Sequence, residues 1–79
     1  MNELQKELYQ MLLKQYKKAA LPRKEAAEVI GVSIPTLDRF RAEGIGPEYI
    51  MHKTDKRYVI RYPLQALVKY LTENNIKTA

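Results

Sequence analysis

Residues 25–40 read EAAEVIGVSIPTLDRF, and only Gly31-Val32-Ser33 separates two short helical patterns in this segment. Glycine adopts the positive φ that a sharp turn between two helices requires. Ser33 can cap the following helix with its hydroxyl oxygen, and Pro35 suits the first helical turn because its missing N–H costs little there. The segment therefore predicts two helices joined by a very short turn.

A small residue, a glycine and two bulky apolar residues follow one another at the spacing of a helix-turn-helix. Ala27 lies four residues before Gly31, and Leu37 and Phe40 lie six and nine residues after it. The small side chain lets the helices approach, and the two bulky ones are expected to point inward. Their expected partners are Ala26, Ile30 and Val32. The same spacing also fits an ordinary helical hairpin, so the pattern alone does not give a function.

An amphipathic helix is predicted from Asn2 to about Ala19. Leu21-Pro22 ends it, because the residue before a proline avoids helical dihedrals. Its apolar residues have helical spacing and are Leu4, Leu8, Met11, Leu12, Tyr16 and Ala19. This stripe is too short for a coiled-coil seam and broad enough to cover a core. We expect the helix to pack on its own domain, and a dimerising arm is the alternative.

Two strands and a last helix are predicted after the tight helical pair. The two tightly joined helices are expected over residues 23–30 and 34–43, with Gly44 ending the second. Residues 48–62, EYIMHKTDKRYVIRY, indicate two short strands around a polar turn at 53–56. A last helix opens at Pro63, and its inward residues are expected to be Leu64, Leu67, Val68 and Leu71. The tail from residue 74 is expected to fray.

This order of elements predicts a mainly α fold with a small β-hairpin wing, that is, a winged helix-turn-helix with an extra N-terminal helix. Residues 1–20 form the amphipathic helix that packs on the domain, residues 21–73 form the winged helix-turn-helix, and residues 74–79 form the frayed tail.

The segments LPRKEAAEVIGVSIPTLDRFRAEGIGP and RYVIRYPLQALVKYL resemble the excisionase and AlpA-like regulators of the MerR-type winged helix-turn-helix superfamily. The resemblance spans residues 21–71. Its motifs are Glu25-Ala26-Ala27, Gly31-Val32-Ser33, Thr36-Leu37-Asp38-Arg39-Phe40, Gly44 and Arg57-Tyr58. The chain departs from the family pattern at Pro22, where a capping Ser or Thr is usual, and at Leu67, where an aromatic residue is common. The N-terminal helix lies outside the family's minimal pattern.

The resemblance implies a sequence-specific protein for double-stranded DNA. Members of the family act as transcription regulators, or as excisionase-type directionality factors that bend DNA for the integrases of phages and mobile elements. An integrase, or a second copy on an adjacent DNA site, is therefore an implied partner, and the free chain is expected to be mainly monomeric. The alternative is a protein-binding adaptor that uses the same helix-turn-helix core to dock a recombinase or a regulator.

The charge distribution suits a polyanionic partner. The formal net charge is +5, from 14 Lys and Arg against 9 Asp and Glu, and basic side chains release counterions from phosphate backbones. Residues 21–44 are neutral, so the basic excess lies around the tight helical pair. Such an excess also serves simple solubility, and the neutral pair keeps the adaptor alternative open.

The helix after Ser33 would present its first residues and its outward face to the DNA major groove. The residues expected to contact DNA there are Ser33, Ile34, Pro35, Thr36, Asp38, Arg39 and Arg41. Arg39 is expected to read guanine or to bind a phosphate. Asp38 is expected to orient Arg39 or Arg41, or to support the helix N-terminus, more than to accept from cytosine. Arg41 has an alternative as a surface charge paired with Glu43 or Asp38.

The hairpin turn carries the second group of expected DNA contacts, Lys53, Thr54, Lys56 and Arg57. In a winged domain this turn reaches the adjacent minor groove or backbone, although a solvated hairpin is also commonly charged. Its tyrosines are expected to serve the core or cross-strand packing more than base stacking, and they are Tyr49, Tyr58 and Tyr62.

Catalytic, cofactor and metal sites are not expected. His52 is the only histidine and the chain has no cysteine, so neither an activated nucleophile nor a typical zinc set can be assembled. No apolar run approaches the roughly 18 residues of a membrane span, and the N-terminus lacks the apolar core of a signal peptide. These patterns predict a cytoplasmic protein without enzymatic activity and without a membrane partner.

Overall fold

The structure, a computed structural model, describes residues 1–73. Those residues form a small, mainly helical domain with four helices and one three-stranded antiparallel sheet in the order β1-β3-β2. The elements are α1 (Glu3–Tyr16), β1 (Ala20–Leu21), α2 (Arg23–Ile30), α3 (Ile34–Glu43), β2 (Ile50–Lys53), β3 (Tyr58–Pro63) and α4 (Leu64–Glu73). This layout is consistent with a winged helix. The predicted fraying of residues 74–79 lies outside the described part of the chain.

The turn between α2 and α3 has the predicted geometry. Gly31 has a φ of 78°, and its N–H donates to the Ala27 carbonyl at 2.9 Å. The Ser33 hydroxyl accepts the Thr36 N–H at 3.3 Å, and Pro35 lies in the first turn of α3. The structure therefore confirms both helices of the pair, which local capping residues define.

Helix α1 differs from its prediction in length and in its buried face. It ends at Tyr16, and Lys17 follows with a left-handed φ of 58°. Leu12 is buried, but Leu4 and Met11 are 64% and 57% exposed, and Ala19 is exposed as well. The predicted inward position of Leu4, Met11 and Ala19 is therefore wrong. The inward face instead includes Gln5, Tyr9 and Leu13.

A partly buried hydrogen bond accompanies this orientation of α1. The Gln5 side-chain amide donates to the Thr72 hydroxyl of α4 at 2.9 Å. The same side chain accepts the Asn2 N–H at 3.0 Å, and the Asn2 side chain accepts the Gln5 N–H at 2.8 Å. Gln5 is thus buried with its polar atoms satisfied, and α1 packs along α4 through a face centred closer to Gln5 than to Leu4.

Strand β1 was not predicted, because two residues carry no alternating pattern. Ala20 pairs with Pro63 and Leu21 pairs with Tyr62 in an antiparallel register. The Leu64 N–H also donates to the Ala19 carbonyl at 2.8 Å. This short strand fixes the connection between α1 and α2 against the start of α4.

The core lies where α1, α2 and α4 meet the sheet and the start of α3. Its buried apolar residues are Leu12, Leu21, Ala26, Ala27, Leu37, Tyr62, Leu64, Leu67 and Val68. The predicted inward positions of Leu37, Leu64, Leu67 and Val68 are confirmed. The predicted core position of Phe40 is wrong, because Phe40 is only half-buried and lies outside this cluster.

Phe40 is covered instead by the segment that follows α3. The Ile45 N–H donates to the Phe40 carbonyl at 3.0 Å. A Cβ added at Gly46 would lie 3.1 Å from the Phe40 Cβ. The chain after Gly44 therefore folds back over Phe40, and the core contact of α3 is made earlier in the helix, at Leu37.

We expect Gly31→Ala to lower the free energy of unfolding by about 1–2 kcal/mol. The reason is that a left-handed conformation costs an L side chain about that much, while a Cβ at Gly31 would meet no atom within 4 Å. Urea unfolding measures the change. Gly31→Asn is the matched control, since asparagine tolerates the left-handed region, and it should recover much of the loss. Equal stability of Gly31→Ala and the unchanged chain would contradict the turn geometry.

Candidate functional site

A basic groove runs between the β2–β3 hairpin and the first turns of α2 and α3. We define it by four residues, Arg23, Arg57, Tyr58 and Ile60, which line two adjoining depressions. One depression also includes Lys24, Ile34 and Arg61. The other has a volume of about 700 Å³ and also includes Arg41 and Met51. The groove therefore brings cations from α2, α3 and the hairpin to one surface.

The hairpin turn is held by its own hydrogen bonds. The Thr54 N–H and hydroxyl both donate to the Arg57 carbonyl, at 2.8 Å and 2.7 Å. The Arg57 N–H donates back to the Thr54 hydroxyl at 3.2 Å. Lys53 and Lys56 are exposed. Thr54 therefore shapes the turn, whereas the three cations of the hairpin remain accessible to a ligand.

The predicted contact residues of helix α3 differ in how exposed they are. Pro35 and Arg39 are exposed, and Thr36 is half-buried. Ile34 packs partly against the core, and the Ser33 hydroxyl donates to the Thr36 hydroxyl at 2.8 Å in addition to its cap. Among residues 1–73, Arg39 takes part in no ion pair, and its guanidinium carbon lies 5.9 Å from the centroid of the Phe40 ring.

Asp38 joins two arginines. Its Oδ2 accepts from Arg23 Nη1 at 2.5 Å and its Oδ1 accepts from Arg41 Nη1 at 2.9 Å. The predicted orientation of Arg41 by Asp38 is present, and the structure gives Asp38 no bond to Arg39. The alternative that Arg41 pairs with Asp38 also fits, and we refer to these three residues as the Asp38 network.

Arg41 is held on its other side by aromatic rings. Its guanidinium carbon lies 5.9 Å from the centroid of the Tyr49 ring, which lies 6.1 Å from the Tyr62 ring. Burial alone would lower the pKa of Arg41, but the Tyr62 hydroxyl and the Asp38 carboxylate outweigh it and raise the pKa. The Tyr62 hydroxyl is buried without a hydrogen bond of standard geometry within residues 1–73. Arg41 is thus a charged support of the groove.

Sequence reasoning missed part of the groove. Arg23 and Lys24 begin α2, and Arg61 lies on β3 with its guanidinium donating to the Ile60 carbonyl at 3.0 Å. The signal available was two cations directly after Pro22, at the start of a helix, but their closeness to the hairpin depends on the tertiary fold.

The predicted packing role of the three tyrosines holds for two of them. Tyr62 is fully buried, and Tyr49 contacts it at a tilt of 52° between the rings. Tyr58 is 59% exposed, so a core position of Tyr58 is wrong, and only the cross-strand alternative is left for it. Tyr58 begins β3 directly after Arg57, pairs with Lys53 of β2, and lines the groove. His52 is exposed on β2, opposite Val59.

Comparison with known proteins adds no further constraint: no family model, curated protein or solved structure matches this chain. Within residues 1–73, no helix is long and apolar enough to cross a bilayer. The same part of the chain holds no cluster of three or more potential metal-ligating His, Cys, Asp or Glu side chains. The groove therefore offers the chemistry of its arginines, of Lys24 and of the exposed Tyr58.

Proposed function

We propose that the protein is a winged helix-turn-helix that binds double-stranded DNA, in the manner of the excisionase and AlpA-like regulators. The observation that carries this proposal is that the first residue of α3, Ile34, and the hairpin residue Arg57 line the same groove. A recognition helix and a wing need this closeness to contact adjacent parts of one duplex. The formal charge of +5 favours the same partner.

The proposed roles follow from exposure and from existing bonds. Arg39 reads a base edge, because it is exposed and in no ion pair of the described chain. Lys53, Lys56 and Arg57 bind phosphates or the minor groove as the wing. We add Arg23 to the phosphate contacts, since it shares the groove with Arg57. The uncharged residues of the recognition helix proposed to contact DNA are Ile34, Pro35 and Thr36.

Two biological roles remain within this proposal, transcription regulation and excisionase-type recombination on a phage or mobile element. Both act on DNA in the cytoplasm, and the second would bring an integrase or a second copy to an adjacent site. Selection of binding sites from a random duplex library, followed by sequencing, gives the operator. An integrase gene beside this gene would favour the recombination role.

A protein-binding adaptor is the second candidate. Exposed apolar side chains favour it, namely Ile45, Ile50 and Met51, because a docking surface needs apolar area. An adaptor would not bind duplex DNA in a salt-dependent manner, whereas a DNA-binding domain would. A titration of the protein into labelled duplex therefore separates the two candidates.

We expect Arg57→Ala to weaken duplex binding by roughly three- to tenfold, because it removes one cation from the groove, whereas Lys14→Ala should change binding less than twofold. Lys14 is an exposed lysine of α1 that does not line the groove, so the two variants lose the same charge. Fluorescence anisotropy with a duplex of about two helical turns measures both. Equal losses would mean that overall charge, and not the groove, binds the DNA.

We also expect the free chain to be mainly monomeric, since the buried face of α1 packs on α4. The alternative, a dimerising arm, would use the exposed apolar side chains of Leu4 and Met11 on α1. Sedimentation over a wide concentration range should give the mass of one chain. A dimer that persists on dilution, and that is lost on replacing Leu4 and Met11 by glutamate, would contradict this expectation.

A further inference from the structure

Of the two arginines that line both depressions of the basic groove, Arg23 is the one held in an ion pair within residues 1–73. Its Nη1 donates to Asp38 Oδ2 at 2.5 Å, while 47% of its side chain stays exposed. A guanidinium has five N–H donors in a fixed planar fork. One bond to Asp38 therefore orders the group and leaves most of its donors open to the groove.

The carboxylate that holds Arg23 is itself held. Asp38 Oδ1 accepts from Arg41 at 2.9 Å, and the Arg41 side chain is only 24% exposed. Arg41 also lies over the Tyr49 ring, which contacts the buried Tyr62. A chain of contacts therefore runs from the buried part of the sheet through Arg41 and Asp38 to Arg23.

We propose that Asp38 is a positioning residue for DNA binding: it orders the Arg23 guanidinium in the groove so that Arg23 meets a backbone phosphate, and Asp38 itself makes no contact with DNA. This inference rests on the proposed DNA-binding function. It differs from base readout by Asp38, since each carboxylate oxygen already accepts a bond from an arginine. The network remains attractive to phosphate, because its two guanidinium groups outweigh one carboxylate.

The opposite role would be competition, in which Asp38 occupies Arg23 and must release it before DNA binds. The two roles predict opposite couplings between the residues. Under positioning, Arg23 contributes less to DNA binding once Asp38 is lost, because its side chain must then be ordered during binding. Under competition, Arg23 contributes more once Asp38 is lost.

The test is a double-mutant cycle on duplex affinity at one fixed salt concentration. We expect Arg23→Ala to weaken binding roughly two- to tenfold in the unchanged chain, and less than twofold in a chain that carries Asp38→Asn. An equal or larger effect of Arg23→Ala in the Asp38→Asn chain would overturn the proposal. The comparison removes the general gain in affinity that follows from deleting a negative charge, since both Asp38→Asn chains share it.

Glu43→Gln supplies the matched charge control. Glu43 lies on the same helix and is exposed, and its replacement should leave the effect of Arg23→Ala unchanged. If Arg23→Ala also has a reduced effect in the chain that carries Glu43→Gln, the proposal is overturned, because loss of any nearby negative charge would then explain the coupling. Circular dichroism and thermal melting check that each variant is folded, and Asp38→Ser replaces Asp38→Asn in the cycle if the latter unfolds. If the unchanged chain binds duplex DNA in a salt-dependent manner but Arg23 and Asp38 show no coupling, only this inference is overturned. If the unchanged chain does not bind duplex DNA, the proposed function is overturned as well.

Discussion

A chain that begins at Leu21 is expected to lose cooperative thermal unfolding. Helix α1 supplies Leu12 to the buried core and packs its half-buried residues, Leu8, Tyr9, Leu13 and Tyr16, against that core. Losing one buried leucine side chain costs about 2–5 kcal/mol, and the half-buried side chains add to it. A chain of this length has a total stability of about 4–12 kcal/mol, so the loss should approach or exceed the whole.

Melting followed by circular dichroism measures this effect. The matched control keeps α1 but replaces Leu4 and Met11 by alanine. Both side chains are more than half exposed, so the control should change stability by less than about 1 kcal/mol. A shortened chain that melts cooperatively near the temperature of the full chain would show that α1 is an appendage and not a part of the core.

Arg39→Ala and Lys56→Ala are expected to weaken DNA binding in different ways. Arg39 is exposed on α3, and its loss should cost about 1–3 kcal/mol on the best site and relax the base preference at one position. Lys56 is exposed at the hairpin turn, and its loss should weaken all sequences alike. The slope of log K against log salt should then become shallower by about 1.

The comparison needs a selected site and a random duplex of equal length. Arg39→Ala should narrow the difference in affinity between them, and Lys56→Ala should preserve it. If Arg39→Ala lowers binding to both duplexes equally, Arg39 contacts a phosphate and some other residue of α3 reads the bases. If Lys56→Ala has no effect on either duplex, the hairpin turn lies off the DNA.

The sequence predicted the elements that local chemistry defines. Helices α2 and α3 were bounded correctly because Gly31, Ser33 and Gly44 act on the residues next to them. The buried face of α1 was not predicted correctly, because Gln5 bonds to Thr72, which lies at the other end of the chain. Strand β1 was not predicted for a similar reason, since its two residues become a strand only by pairing with β3.

The candidate site shows the same division. The bond between Asp38 and Arg41 spans three residues of one helix, so a sequence pattern could predict it. The bond between Asp38 and Arg23 joins two helices, and only the turn at Gly31 brings them together. Tyr58 is exposed although it pairs with Lys53 in the hairpin, and nothing in the sequence next to Tyr58 predicts that exposure.

Binding of duplex DNA as a function of salt concentration tests the central proposal most directly. With about 4 to 6 phosphate contacts, log K should fall against log salt with a slope of roughly −4 to −5. Over a fourfold rise in salt, this corresponds to a loss of affinity of roughly 250- to 1,000-fold. A flat response, or no duplex binding at low salt, would contradict DNA binding and favour the protein-binding adaptor.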